Sequence, residues 1–127
     1  MRISAKLGGG ILGGICALGA CDPAFRFAGS VKDESGHPVP RVQARVQCET
    51  IFASAETDSA GRFEYNAIGW CPSSCTVEVI VDGQSAWTRP VMHLCRRRPT
   101  HFRNACLEVV AEATLTGESY APPIPHN

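Results

Sequence analysis

Cysteine is the residue type with the most chemical scope in this chain. Seven cysteines stand at positions 16, 21, 48, 71, 75, 95 and 106 of a 127-residue sequence. So many thiols in so short a chain point to disulfides, metal ligation or lipid attachment. Cys71-x3-Cys75, taken with His93, Cys95 and His101, offers soft and borderline ligands suited to zinc. The spacing is not the tight C-x2-C pair repeated twice that marks a structural zinc site, so no metal or other cofactor is expected. His37, His93, His101 and His126 are scattered, and no G-x-S-x-G or comparable nucleophile motif occurs. No catalytic residue is assigned on this basis, and a protein that is not an enzyme is expected. Arg96, Arg97 and Arg98 make a candidate anion-binding loop for lipid phosphate or acidic glycan, the plainer reading being a solvated loop tip. Trp70 and Trp87 suit either a sugar-stacking platform or a partly buried place in a core.

The first twenty residues read as an address rather than as part of a fold. Arg2 and Lys6 precede fourteen uncharged residues, Leu7 to Ala20, six of them glycine. A basic start, a short apolar run and small residues at its end make a secretory signal peptide. Fourteen residues of helix reach about 21 Å, short of a hydrocarbon core about 30 Å thick. Removing this segment takes Arg2 and Lys6 with it, leaving ten basic against twelve acidic residues and a net charge of −2. That balance lacks the basic footprint of a nucleic-acid binder, and no nucleic-acid partner is expected.

The elements that must hold the remaining cysteines are strands. Val42 to Cys48 alternates strictly, with Val42, Ala44, Val46 and Cys48 on one face and Gln43, Arg45 and Gln47 on the other. Arg62 to Ile68 and Cys75 to Val81 alternate in the same way, the latter putting Cys75, Val77, Val79 and Val81 inward. A first strand is expected over Gly29–Asp33 with Val31 at its centre, a weaker one over Ile51–Thr57 and another over Ser85–Thr88, and Cys106 to Ala113 closes the series. Asp33-Glu34-Ser35-Gly36, Asp58-Ser59-Ala60-Gly61 and Asp82-Gly83 are turn signals between them. Pro90 to Asn104 is less regular. About seven short strands in roughly ninety residues predict an all-β sandwich. The expected organisation is a signal peptide over 1–20, a tether over 21–27, a sandwich over 28–115 and a flexible Pro-rich tail over 116–127.

Two resemblances sharpen this. Leu18-Gly19-Ala20-Cys21 resembles the lipobox of bacterial lipoproteins, which implies a lipidated Cys21 at the mature N-terminus, a membrane anchor and a place in the cell envelope facing the periplasm or the cell surface. Asp22 after that cysteine resembles the signal that retains some lipoproteins in the inner membrane. Gly29-Ser30-Val31-Lys32-Asp33-Glu34-Ser35-Gly36-His37-Pro38-Val39-Pro40 resembles the G-x-V-x-D-x-x-G-x-P-V-P opening of carboxypeptidase regulatory-like domains. Thr57-Asp58-Ser59-Ala60-Gly61-Arg62-Phe63 is similar to the T-D-x-x-G-x-F of the same family. The resemblance implies a seven-stranded Greek-key, transthyretin-like sandwich and a non-enzymatic binding or structural module, with another envelope protein or a glycan as partner. Two departures stand out. Arg41-Val42 replaces the family's Gly-Ala, and Ile68-Gly69-Trp70-Cys71-Pro72-Ser73-Ser74-Cys75 replaces its L-x-P-G-x-Y stretch. The alternative readings are a small exported hydrolase of the transthyretin-like group and a metal-binding envelope protein.

An exported chain meets an oxidising compartment, where disulfides are the default. Cys95 and Cys106 bracket a ten-residue loop holding the three arginines, and their pairing would staple it. The resemblance makes the second and fifth strands antiparallel neighbours and so implies Cys48–Cys75, with Cys48–Cys71 competing. Cys71 is then the spare thiol, free or bridging to a partner.

Overall fold

In the computed structural model the described residues are 24–101 and 104–117, together with the backbone of 15–17 and 20–22. The chain runs β1 (Ile15–Ala17), β2 (Ala20–Asp22), β3 (Ala24–Asp33), β4 (Gln43–Gln47), β5 (Ile51–Glu56), β6 (Arg62–Ile68), β7 (Cys71–Pro72), β8 (Thr76–Val81), β9 (Gln84–Pro90), α1 (Val91–Leu94), β10 (Cys95–Arg97), β11 (Ala105–Cys106) and β12 (Glu108–Leu115). β1 and β2 pair antiparallel within the segment read as signal and lipobox. The remaining strands form one sheet in the order β10-β12-β3-β6, a second in the order β5-β4-β8-β9, and a small pair β11-β7. Within the first sheet β3 and β12 run parallel; the other pairs in both sheets are antiparallel.

The alternation read from the sequence is the reason the sheets pack. Ala44 and Val46 of β4, Val77 and Val79 of β8, and Phe25, Phe27 and Val31 of β3 are all essentially inaccessible, and β12 adds Val109, Ala111, Ala113 and Leu115. Phe27 meets Phe63 with ring centroids 4.9 Å apart, and Phe25 meets Phe52 edge-on at 5.3 Å.

Three expectations need correction. Residues 24–27, read as tether, are the first four of β3, because Phe25 and Phe27 continue the period-two pattern of Val31 into the core. Pro90–Asn104 is not merely irregular: it contributes α1 and β10, and β7 forms inside the cysteine-bearing insert. Between Ala24 and Leu115 there are ten strands rather than seven. Of the expected tail, Thr116 and Gly117 are described, Gly117 donating its N–H to Glu34 Oε1; residues 118–127 lie outside the described residues, as do most of 1–20.

The three turn signals gather at one end. Asp33 Oδ1 accepts the N–H groups of Ser35 and His37, and Asp58 Oδ1 accepts those of Ala60 and Arg62. The Arg62 and Ala60 N–H groups hold the Asp58 carboxyl below its usual range. Gly36 and Gly61 close these turns with φ of +85° and +73°, a conformation glycine adopts without strain.

The sheet faces can be tested by substitution. Phe63→Ala, at a position 6% exposed, is expected to cost about 3–5 kcal/mol. Arg45 lies on the outer face but is not simply wet, since its guanidinium Nη2 lies 3.1 Å from Glu78 Oε1. Arg45→Ala is therefore expected to cost about 1 kcal/mol or less. Urea denaturation of both variants decides it: equal losses would mean the faces are wrongly assigned.

Candidate functional site

Strand register places the chemistry-bearing residues at the end opposite these turns. β3 enters there at Ala24, which pairs with Ile68, the last residue of β6. β5 starts there at Ile51, opposite Gln47 at the end of β4; Gln47 in turn pairs with Thr76, and Thr76 with Pro90. Arg97 lies there as well, opposite Glu108 at the start of β12. Every cysteine from 48 onward falls at this end.

Cys48 and Cys75 are joined one step beyond the Gln47–Thr76 pair, with Cα atoms 4.7 Å apart. Adjacent antiparallel strands put the two thiols face to face, as the family resemblance implied. Cys95 and Cys106 are joined with Cα atoms 5.9 Å apart, linking β10 to β11. Cys71 is a free thiol, fully buried on β7, and burial pushes it up to about 12. Its backbone is registered opposite Cys106, yet its Sγ lies with those of Cys48 and Cys75, all three within 4.8 Å of one another. The sulfur cluster is thus Cys48, Cys71 and Cys75. The zinc set weighed from the sequence is divided, since Cys75 and Cys95 belong to separate disulfides and His93 and His101 are exposed.

A cleft of about 570 Å³ opens over the Cys48–Cys75 bond, lined also by Gln47, Glu49, Thr50, Ser74 and Thr76. A second groove of about 650 Å³ lies on the outer face of the first sheet. Arg26 spans its base, with Nε 2.9 Å from Glu64 Oε2 and Nη1 2.9 Å from Glu108 Oε2. Those pairs raise the Arg26 guanidinium and lower the Glu64 carboxyl. Arg26, Glu64 and Glu108 thus pair with one another on this face.

The large apolar side chains exposed among the described residues are Ile51 (50%), Ile68 (60%), Trp70 (39%) and Met92 (53%). All four belong to the cysteine-rich end: Ile51 and Ile68 by register, Trp70 beside Cys71, and Met92 in α1, whose Val91 N–H donates to Cys75 O. Arg96 and Arg98 are exposed there and Arg97 is half-buried. His37 lies at the opposite end, 77% exposed and 3.8 Å from Asp33, and His126 lies outside the described residues. Trp87 sits within β9 under the guanidinium of Arg89, 4.7 Å away, and is partly buried against the core. The sequence reading missed the exposed apolar set: alternation puts Ile68 on the outer face with Arg62, Glu64 and Asn66, but no local signal says that the ends of β5 and β6 are left uncovered.

No family model matches the chain, and no curated protein matches it.

Proposed function

We propose that the chain is a non-enzymatic lipoprotein of the cell envelope, acylated at Cys21, that presents a carboxypeptidase regulatory-like, transthyretin-like sandwich as a binding or structural module. The observation that carries the reading is the composition of one end of the fold. Ile51, Ile68, Trp70 and Met92 are exposed together with Arg96 and Arg98 at the end where β3 begins. Only Asp22 and Pro23 separate Cys21 from Ala24, a reach of about 10 Å. An acylated Cys21 would hold that end against the headgroups. Tryptophan favours this layer and arginine pairs with lipid phosphate. Two acyl chains at about 0.8 kcal/mol per buried CH₂ make such an anchor stable.

The family reading has separate support in how its two motif segments meet. Thr57 Oγ1, buried, donates to Val39 O at 2.8 Å and accepts the Val42 N–H at 3.1 Å. Val31 N–H donates to Gly61 O, and a Cβ on Gly61 would lie 2.9 Å from Cβ of Pro38. Arg41, which stands where the family has glycine, has φ of +61°, the conformation glycine adopts without strain.

Radiolabelled palmitate is expected to enter the wild type and not Cys21→Ser, and the variant is expected to leave the membrane fraction. Label persisting in the serine variant would end the lipoprotein reading.

A further inference from the structure

The two disulfides and the spare thiol need not be a fixed set, given the cluster of three sulfurs at the cysteine-rich end. We propose that Cys48, Cys71 and Cys75 form a thiol–disulfide exchange site, in which Cys71 displaces Cys48 and delivers a free thiol to the adjoining cleft, where it takes up low-molecular-weight disulfides as mixed disulfides.

The geometry carries each step. Cys71 Sγ lies within 4.8 Å of both sulfurs of the Cys48–Cys75 bond, which puts each of them beside the attacking thiol. Cys75 is its natural partner in exchange. The chain between them is a tight turn, with the Cys75 N–H donating to Pro72 O. Exposure separates the possible products. Cys71 is inaccessible; Cys48 and Cys75 both line the cleft of about 570 Å³, but Cys75 is only 5% exposed whereas Cys48 is partly buried. Exchange that frees Cys48 therefore moves the thiol from the interior to a surface where a ligand can enter.

The internal exchange balances without an outside oxidant or reductant, and the second step takes its oxidising equivalent from the incoming disulfide. Cys71 loses its proton to water, and its thiolate attacks Cys75 Sγ. The Cys71–Cys75 bond forms as the Cys48–Cys75 bond breaks, and the electron pair leaves on Cys48, which can take up a proton. The freed Cys48 thiolate then attacks a disulfide RSSR, giving Cys48–S–S–R and releasing RS⁻. Burial keeps the Cys71 thiolate scarce and makes the first step slow, on the minutes-to-hours scale of uncatalysed rearrangement. The proposal is independent of lipid attachment at Cys21.

The folded, full-length protein is incubated with oxidised glutathione, excess thiol is blocked with iodoacetamide, and the cysteines are mapped by non-reducing peptide mass spectrometry. The expected result is glutathione on Cys48, in molecules that carry a Cys71–Cys75 bridge. In Cys71→Ser, glutathionylation of Cys48 is expected to fall to background. Cys48→Ser, refolded in a glutathione buffer, is expected to close Cys71–Cys75 and leave neither thiol free. Glutathione on Cys71 or Cys75 instead, or on none of the three, overturns the proposal. So does a Cys48→Ser protein in which Cys71 and Cys75 both remain free.

Discussion

Gly29→Ala is expected to remove most of the stability of the domain. Gly29 sits in the middle of β3, registered against Ala111 of the parallel strand β12. A Cβ built at Gly29 would lie 1.8 Å from Ala111 O and 2.7 Å from Ala111 C. Those are backbone atoms, so no rotamer change relieves the overlap, and β12 must part from β3 along a register running from Arg26 to Asp33. Overpacking against side chains costs about 1–3 kcal/mol, because side chains can shift. A clash with the ladder itself should exceed about 4 kcal/mol, a large share of the 5–15 kcal/mol typical of a domain. Gly36→Ala is the control. Its φ is +85° but nothing lies within 4 Å of the added carbon, so only the left-handed conformation is penalised, by about 1 kcal/mol. Urea denaturation of the two variants should give widely different midpoints. Similar modest shifts would mean that β3 and β12 are not in contact at this residue.

That contact also shows where sequence reasoning reached its limit. Gly29 is legible as the opening glycine of a motif, but the motif does not say which strand lies against it. What was legible was local: the alternation of β4 and β8, the turn chemistry at Gly36 and Gly61, and the Cys95–Cys106 loop, each decided within a few residues. Cys48–Cys75 became legible only once the resemblance supplied strand neighbours. The start of β3 was missed although Phe25, Phe27 and Val31 keep one period, because the lipobox led the adjoining residues to be read as tether. β7, β10 and β11 are two or three residues long and carry no periodicity of their own; cross-strand partners and a disulfide define them. The apolar end face was illegible for a different reason. Ile51 and Ile68 are strand-terminal, and whether a strand end is covered depends on loops far away in sequence. Cys71 was identified as the odd thiol, but its place beside the Cys48–Cys75 bond follows from the insert folding back across the end of the sandwich.

Removing the Cys95–Cys106 bond is expected to loosen that same end while leaving the second sheet intact. The bond joins two very short strands. β10 holds β12 through Cys95–Val109 and Arg97–Glu108, and β11 holds β7 through Ala105–Pro72 and Cys106–Cys71. Pairings of this length are not stable alone in water. Two further backbone bonds fasten the segment, Leu107 N–H to Arg97 O and Ser73 N–H to Asn104 O. With a sequence separation of 11, chain-entropy arithmetic assigns the crosslink about 3 kcal/mol. Cys106 is inaccessible, so the double variant Cys95→Ala/Cys106→Ala, which introduces no buried hydroxyl, measures the crosslink more cleanly than serine would. The loss should be about 2–4 kcal/mol, and its distribution is the sharper test. Amide hydrogen exchange should rise across 91–107 and in β7, and stay slow in β4 and β8, which keep the Cys48–Cys75 bond and the ladder between them. Exchange rising equally in both sheets would show that the bond supports the whole sandwich. A loss under about 0.5 kcal/mol would show that β10 and β11 hold without it.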